Sequence, residues 1–163
     1  MVAMLLAQVN VALMRADMDD PRMGGFVAAL DPVYRMAEES RGFVWRLRDP
    51  GGGHRPATSG GQVVNVSVWR TYRDLHAFVY RSRHGAFVKE RQRWFLPTPQ
   101  PSTALWWVAD AARPTLEQAL ARLAHLRRHG PTPRAFGVRR RFDPSGRTEG
   151  RPPVTHAREG RDQ

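Results

Sequence analysis

The alternation of apolar and polar residues predicts four β-strands. In residues 4–14 and 63–69, an apolar face alternates with a face that carries polar groups, as in a strand of an amphipathic sheet. Residues 43–48 predict a further strand, and residues 103–109 are apolar on both faces, which indicates burial on both sides. Residues 49–61 are rich in Gly, Pro and Ser and predict a loop.

Capping residues and helical spacing predict three helical segments. Asp20 followed by Pro21 starts the first, as an N-cap and a residue suited to the first helical position. The second covers residues 70–95 and is expected to break near Ser82, which would cap a new helix. Thr115 opens the third with a capping box. Each segment carries an apolar stripe, so each is expected to pack against the sheet.

The order of these elements is β-α-β-β-α-β followed by an extra C-terminal helix, which is the ferredoxin-like α+β pattern. It predicts an antiparallel sheet with helices on one face. The other face carries Val64, Val66 and Val68, so a second copy of the sheet is expected to cover it. The prediction is a dimeric α+β barrel domain over residues 1–142 and a disordered tail over 143–163.

Composition narrows the class of protein. The chain of 163 residues is 41% hydrophobic, which suits one soluble globular domain. It has no cysteine, which excludes a disulfide framework and thiol catalysis. The apolar N-terminal run lacks a basic flank and reads as a strand, and no segment approaches the ~20 apolar residues of a membrane span. We therefore expect a cytoplasmic protein without a membrane partner.

The charge balance is strongly basic, with a formal net charge of +11. Arginine supplies nearly all of it, since Lys89 is the only lysine. The sequence contains no nucleic-acid-binding motif, so we expect no specific nucleic-acid partner. No group of His, Asp and Glu has metal-ligand spacing, so we expect no metal site.

Two strands present a polar face that suits a pocket wall. Asn10 and Gln8 share a face of the first strand, and Asn65, Ser67 and Trp69 share a face of the third. An amide can stabilise an enolate or peroxy anion, and an aromatic wall excludes water. Asn10, Asn65 and Trp69 are therefore the best candidate constellation. In the alternative interpretation, Asn65 pairs with a neighbouring strand and Trp69 is ordinary core.

His84 is the candidate base. Near a helix N-terminus its imidazolium is disfavoured, which leaves a neutral base at pH 7; alternatively, it caps its own helix. The remaining candidates for substrate binding are large or basic side chains: Trp45, Tyr80, Arg81, Arg91 and Trp94. The arginines could bind a phenolate or carboxylate, or be solvated, and the aromatic residues could line a pocket or simply pack.

Several segments together resemble a known group of proteins. They are LAQVNVAL, DDPRMGGFVAALDPV, GFVWRL, NVSVW, FVYRSRH, WFLP, LWWV and ALARLAHLRRHGPTPRAF. Over about residues 4–142 they resemble an uncharacterised bacterial family allied to the antibiotic-biosynthesis-monooxygenase-like dimeric α+β barrels. That superfamily includes cofactor-free monooxygenases of aromatic polyketides, polyketide cyclases, isomerases and haem-degrading enzymes.

The resemblance implies a homodimeric enzyme of secondary metabolism acting on an aromatic or polyketide-like small molecule. In the oxygenation version, His84 removes a phenolic proton, Asn65 and Asn10 hold the anion, and Trp69 shields it. A cyclase or isomerase would use the same groups without oxygen. Haem is disfavoured and no cofactor is expected, because Arg91 stands near the position of the family's haem-ligating histidine. The alternative is a non-catalytic binding or accessory protein of the same fold.

Overall fold

The computed structural model describes residues 2–51, 55–82 and 86–150, with no side-chain description for 86–88. The strands are β1 (Met4–Leu13), β2 (Phe43–Arg46), β3 (Ala57–Ser59), β4 (Gln62–Trp69) and β5 (Thr103–Ala109). The helices are α1 (Gly24–Glu38), α2 (Tyr72–Ser82), α3 (Ala86–Trp94) and α4 (Leu116–His129), with a short 3₁₀ helix (Pro21–Met23) before α1. None of the helices in these ranges is long and apolar enough to cross a membrane.

The strands form one open antiparallel sheet in the order β2-β4-β1-β5, with β3 paired to the start of β4. The four predicted strands are confirmed. β3 lies inside the predicted loop at 49–61, because Gly60 and Gly61 both adopt positive φ, 56° and 76°, and close a tight hairpin onto β4. The fold is therefore mixed α+β.

The predicted helix starts at Asp20 and Thr115 are also confirmed, whereas Ser82, predicted to cap a new helix, is the last residue of α2 and its hydroxyl donates to the Val79 carbonyl at 2.9 Å. The Asp20 side chain accepts a hydrogen bond from the backbone N–H of Arg22 at 2.9 Å, and Pro21 begins the 3₁₀ helix. Thr115 and Gln118 form a reciprocal capping box at the start of α4. These caps satisfy helix-terminal N–H groups locally, which is why the sequence alone could locate them.

Helix α4 covers one face of the sheet. Leu123, with 2% of its surface exposed, packs into the same core as Val64, Val66 and Val68, which are 1%, 1% and 0% exposed. The prediction that a second copy covers these valines is therefore wrong, because the C-terminal helix of the same chain already buries them. The helices of the predicted β-α-β-β-α-β pattern, α1 to α3, share the other face, and the extra C-terminal helix, to which no face was assigned, lies on this one.

The other face carries α1, α2 and α3, and two apolar clusters lie under these helices. One surrounds Trp69 and includes Leu75 and Phe78 of α2. The second surrounds Phe26 of α1 and includes Trp94 at the end of α3. Helices thus cover both faces of the sheet, and each face is buried within a single chain.

The chain after Phe142 continues as a hydrogen-bonded turn. Phe142 is buried, and its carbonyl accepts from Trp107 Nε1 at 2.7 Å. Asp143 N donates to the Arg147 carbonyl at 2.8 Å, and Arg141 pairs with Glu149 at 2.9 Å. The predicted tail therefore begins with this turn, and residues 151–163 lie outside the described residues.

Candidate functional site

A band of polar side chains crosses the middle of the sheet face that α1, α2 and α3 cover. We call it the polar row, and it consists of Gln8, Asn10, Arg46, Asn65, Ser67 and Thr103. Ser67 lies opposite Arg46 on one side and Gln8 on the other, and Asn10 lies opposite both Asn65 and Thr103. Four residues predicted as site residues, Gln8, Asn10, Asn65 and Ser67, are thus brought together.

The polar row lies between the two apolar clusters and is not sealed. All of its members except Arg46 are half-buried although they sit mid-sheet. Adjacent strands are ~4.8 Å apart, so neighbours across the row can contact one ligand. Polar groups that keep some solvent contact between apolar walls are the kind of lining that binds a small molecule. We call the region between the polar row and α1 the sheet cleft.

Asn65 is held in place by a residue that the sequence did not single out. Its Oδ1 accepts a hydrogen bond from the Tyr34 hydroxyl of α1 at 3.1 Å. This contact uses the amide oxygen and leaves the Nδ2 donor without a hydrogen bond to the described residues. An N–H donor is the group that a developing anion requires. The partner of Asn65 therefore comes from a helix, rather than from a neighbouring strand.

Two of the other polar candidates, Asn10 and Ser67, form hydrogen bonds within the sheet. Asn10 Nδ2 donates to Thr103 Oγ1 at 2.8 Å. Trp69 Nε1 donates to Ser67 Oγ at 2.9 Å, so the Ser67 hydroxyl keeps its own hydrogen for another acceptor. Trp69 itself is 0% exposed and stacks on Phe78 with ring centroids 5.2 Å apart, so it supports Ser67 from the core.

Arg46 is the main residue that the sequence-based prediction missed. Only 5% of its side chain is exposed, Nε donates to Glu38 Oε1 at 2.8 Å, and Cζ lies 4.0 Å from the Tyr34 ring centroid. Its two terminal nitrogens are buried and make no hydrogen bond to the described residues. The sequence did contain one signal for this residue. Arg46 alternates with Trp45 and Leu47, so its side chain points to the opposite face of the strand. Because both faces of the sheet are covered by helices, that position is buried as well.

Burial raises the pKa of the Tyr34 phenol to about 12, although the charge of Arg46 favours ionisation. The hydroxyl is therefore neutral at physiological pH and donates its hydrogen to Asn65. Arg46, Tyr34 and Asn65 form a chain of contacts from the sheet edge to the middle of the sheet cleft.

Trp45 lies on the opposite side of the sheet from the polar row. A β-bulge shifts the register between Phe43 and Trp45, so Phe43 packs with Trp69 while Trp45 packs toward α4. Strict alternation along β2 would place Phe43 and Trp45 on one face, and the bulge puts them on opposite faces instead. Trp45 is therefore separated from Asn65 by the thickness of the sheet.

The helical candidates are dispersed. Tyr80 is 61% exposed, and Arg91 is also exposed. Trp94 is buried among apolar residues, with its ring 5.9 Å from Phe26. His84, the predicted base, lies outside the described residues.

Arg81 contributes to a separate surface groove of about 610 Å³ between α1 and α2, and it donates to Ser40 Oγ at 2.8 Å. The groove is lined by Asp31, Pro32, Arg35, Met36, Glu39, Ser40 and Arg81. It does not include the polar row. Within the described residues, no three His, Asp or Glu side chains are grouped so as to hold a metal ion.

Fold and site together define a mixed α+β protein with a half-buried row of polar side chains on the sheet face under α1, α2 and α3. The chain belongs to the family described as Domain of unknown function (DUF3291), which matches residues 5–151. It is also similar to the crystal structure of the NE2512 protein of unknown function from Nitrosomonas europaea. That likeness has 9% identity and a TM-score of 0.41, and it covers 71% of this chain and 97% of that chain. No curated protein matches the sequence. Neither match names the antibiotic-biosynthesis-monooxygenase superfamily.

Proposed function

We propose that this chain is a small-molecule enzyme that acts on an aromatic or polyketide-like compound. The reaction is cofactor-independent oxygenation, or a cyclisation or isomerisation that passes through a similar anion. The observation that carries the proposal is the half-buried pair of donors, Asn65 Nδ2 and the Ser67 hydroxyl, between two apolar clusters. The antiparallel sheet order β2-β4-β1-β5 supports a ferredoxin-like relationship, and the chemistry is the one that the sequence resemblance implies.

The physical basis is stabilisation of an enolate or phenolate. Donors that are already oriented before the reaction stabilise developing charge at no cost in reorganisation. Tyr34 orients the Asn65 amide, and Trp69 orients the Ser67 hydroxyl. In the oxygenation version the deprotonated substrate supplies the electrons that reduce oxygen, and His84 remains the proposed base.

Oxygen uptake tests this proposal. With 1,8-dihydroxyanthrone as the probe, one O₂ should be consumed per anthrone; one oxygen atom enters the new carbonyl and the other leaves as water. The full chain should accelerate uptake above the spontaneous rate. Asn65→Ala should reduce that acceleration by about 10²–10³-fold. Gln92→Ala, which removes an exposed amide, is the matched control. If 1,8-dihydroxyanthrone and related anthrones consume oxygen no faster with the protein than without it, the oxygenation proposal is refuted.

A second candidate function is non-catalytic binding of the same kind of compound. The polar row in the described chain holds amides, hydroxyls and a guanidinium, but no carboxylate or imidazole that could act as a base. The Asn10–Thr103 hydrogen bond also gives Asn10 a structural role. Stoichiometric binding without turnover of any bound compound would favour this function.

Homodimerisation stays part of the proposal, but it requires another surface. The valine-rich sheet face that motivated it is already covered by α4. Light scattering at micromolar concentration tests the assembly directly. A monomer in solution would show that the fold does not need a second chain, and it would remove the dimeric barrel from the proposal.

A further inference from the structure

Arg46 is a buried cation with two hydrogen-bonding nitrogens unused. Its residue surface is 6% exposed, and neither Nη1 nor Nη2 has a hydrogen-bond partner among the described residues. Buried polar groups in proteins are nearly always paired, so an exception calls for a functional explanation. The guanidinium is also held rigidly, since Glu38 binds its Nε and the Tyr34 ring lies 4.0 Å from Cζ.

The described ion pairs that Arg46 shares with its neighbours carry a net positive charge, which favours an anion as a further partner. Arg48 Nη2 contacts the same Glu38 oxygen as Arg46, at 3.0 Å against 2.8 Å. These three ionic groups therefore carry one more positive than negative charge. Tyr34, the aromatic neighbour, is a neutral phenol at physiological pH, and burial moves its pKa further away, to about 12. It contributes no compensating negative charge.

The sheet cleft comes within reach of this cation. Ser67 lies directly opposite Arg46 and is half-buried, as is Gln8 on the next strand. One strand spacing is ~4.8 Å, which is short enough for one ligand to contact side chains on both strands. A ligand that contacts Ser67 in the cleft can therefore also meet the guanidinium.

We propose that Arg46 binds the carboxylate of an aromatic acid in the sheet cleft, with Nη1 and Nη2 facing its two oxygens. The fork of a guanidinium matches a carboxylate in this bidentate geometry. The single excess charge and the apolar clusters on either side favour a flat organic monoanion over inorganic phosphate. This inference rests on the proposed small-molecule function and names the class of ligand that the same cleft takes.

Calorimetric titration of the full chain with 2-naphthoate and 2-naphthamide tests this binding. The acid and the amide share one shape and differ in charge. The wild-type chain should bind the acid at least about tenfold more tightly, as expected for hydrogen bonds to a charged group. Arg46→Met should abolish this preference. Arg48 contacts the same Glu38 oxygen, but its side chain is 59% exposed. Arg48→Met is therefore the control, and it should keep the preference for the acid over the amide within about twofold of the wild type.

A second measurement covers the case in which Arg46→Met does not fold. The guanidinium NMR signals of Arg46 in the wild-type chain should shift with 2-naphthoate and stay unchanged with 2-naphthamide. Arg46→Lys, which keeps the charge but loses the fork, should bind the acid more weakly than the wild type.

Several outcomes would overturn the inference: equal binding of acid and amide, no binding of either, or equally strong binding of inorganic phosphate. Acid-selective binding without any turnover would uphold the Arg46 site and remove the enzyme proposal. Turnover of neutral compounds that is the same in the wild type and in Arg46→Met would uphold the enzyme proposal and remove the Arg46 site.

Discussion

Tyr34 makes the stability of this protein sensitive to high pH. Its pKa is raised from 10.0 to about 12, chiefly because burial between α1 and the sheet disfavours the phenolate. Below pH 10 the phenol is protonated in both the folded and the unfolded chain, so the ionisation of Tyr34 does not change the free energy of unfolding in that range. Between pH 10 and pH 12 the unfolded chain releases the proton while the folded chain keeps it, so the free energy of unfolding falls as pH rises.

The magnitude follows from the size of the shift. One pKa unit corresponds to about 1.4 kcal/mol, so a shift of roughly two units predicts a loss of about 2–3 kcal/mol by pH 12. Urea unfolding at intervals from pH 9 to pH 11.5 measures this loss. Absorbance at 295 nm, which reports tyrosinate, should show one tyrosine that ionises only at the high end of the titration.

Two variants make this prediction specific. Tyr34→Phe should flatten the stability profile above pH 10 and remove the late absorbance step. Tyr80→Phe changes a ring that is 61% exposed, and it should leave both features in place. If the Tyr34→Phe protein loses stability above pH 10 as steeply as the wild type, the burial argument is incorrect.

The remaining predictions concern packing and the proposed chemistry. Gly25→Ala should lower the free energy of unfolding by about 1–3 kcal/mol in urea, because a Cβ there would lie 3.0 Å from the Trp94 ring. Gly24→Ala meets nothing within 4 Å, and it should be neutral or stabilising; equal effects of the two changes would contradict the packing. Leu123→Ala in α4 should cost about 2–5 kcal/mol, and a cost under about 1 kcal/mol would show that α4 does not cover the sheet. Asn65→Ala should still fold and should reduce turnover, but it leaves the Tyr34 hydroxyl without its acceptor and should lower the free energy of unfolding by about 1–3 kcal/mol; loss of the folded state would indicate a mainly structural role.

Sequence alone was sufficient for the features that depend on close neighbours in the chain. The Asp20 cap and the Thr115 capping box form between residues two or three positions apart, so their signatures are visible in the sequence. The alternation in β1 and β4 likewise placed Asn10 and Asn65 on polar faces. Backbone geometry requires alternate side chains to share a face, and the two faces then met through strand pairing.

Only the tertiary structure decided what covers each face of the sheet. Val64, Val66 and Val68 would have the same pattern under a helix of their own chain or against a second sheet. The path of the chain after β5 brings α4 over them. The bulge in β2, which separates Phe43 from Trp45, also depends on the register with β4 and leaves no periodic signal.

The contacts of Arg46 and Tyr34 needed the structure for the same physical reason. Arg46 reaches Glu38, eight positions away, and Tyr34 reaches Asn65, thirty-one positions away. Periodicity predicts the face on which a side chain lies, but it carries no information about which helix lies above that face. The burial of Arg46 and the raised pKa of Tyr34 both arise from α1 packing over the polar row, a contact that forms only when distant parts of the chain come together.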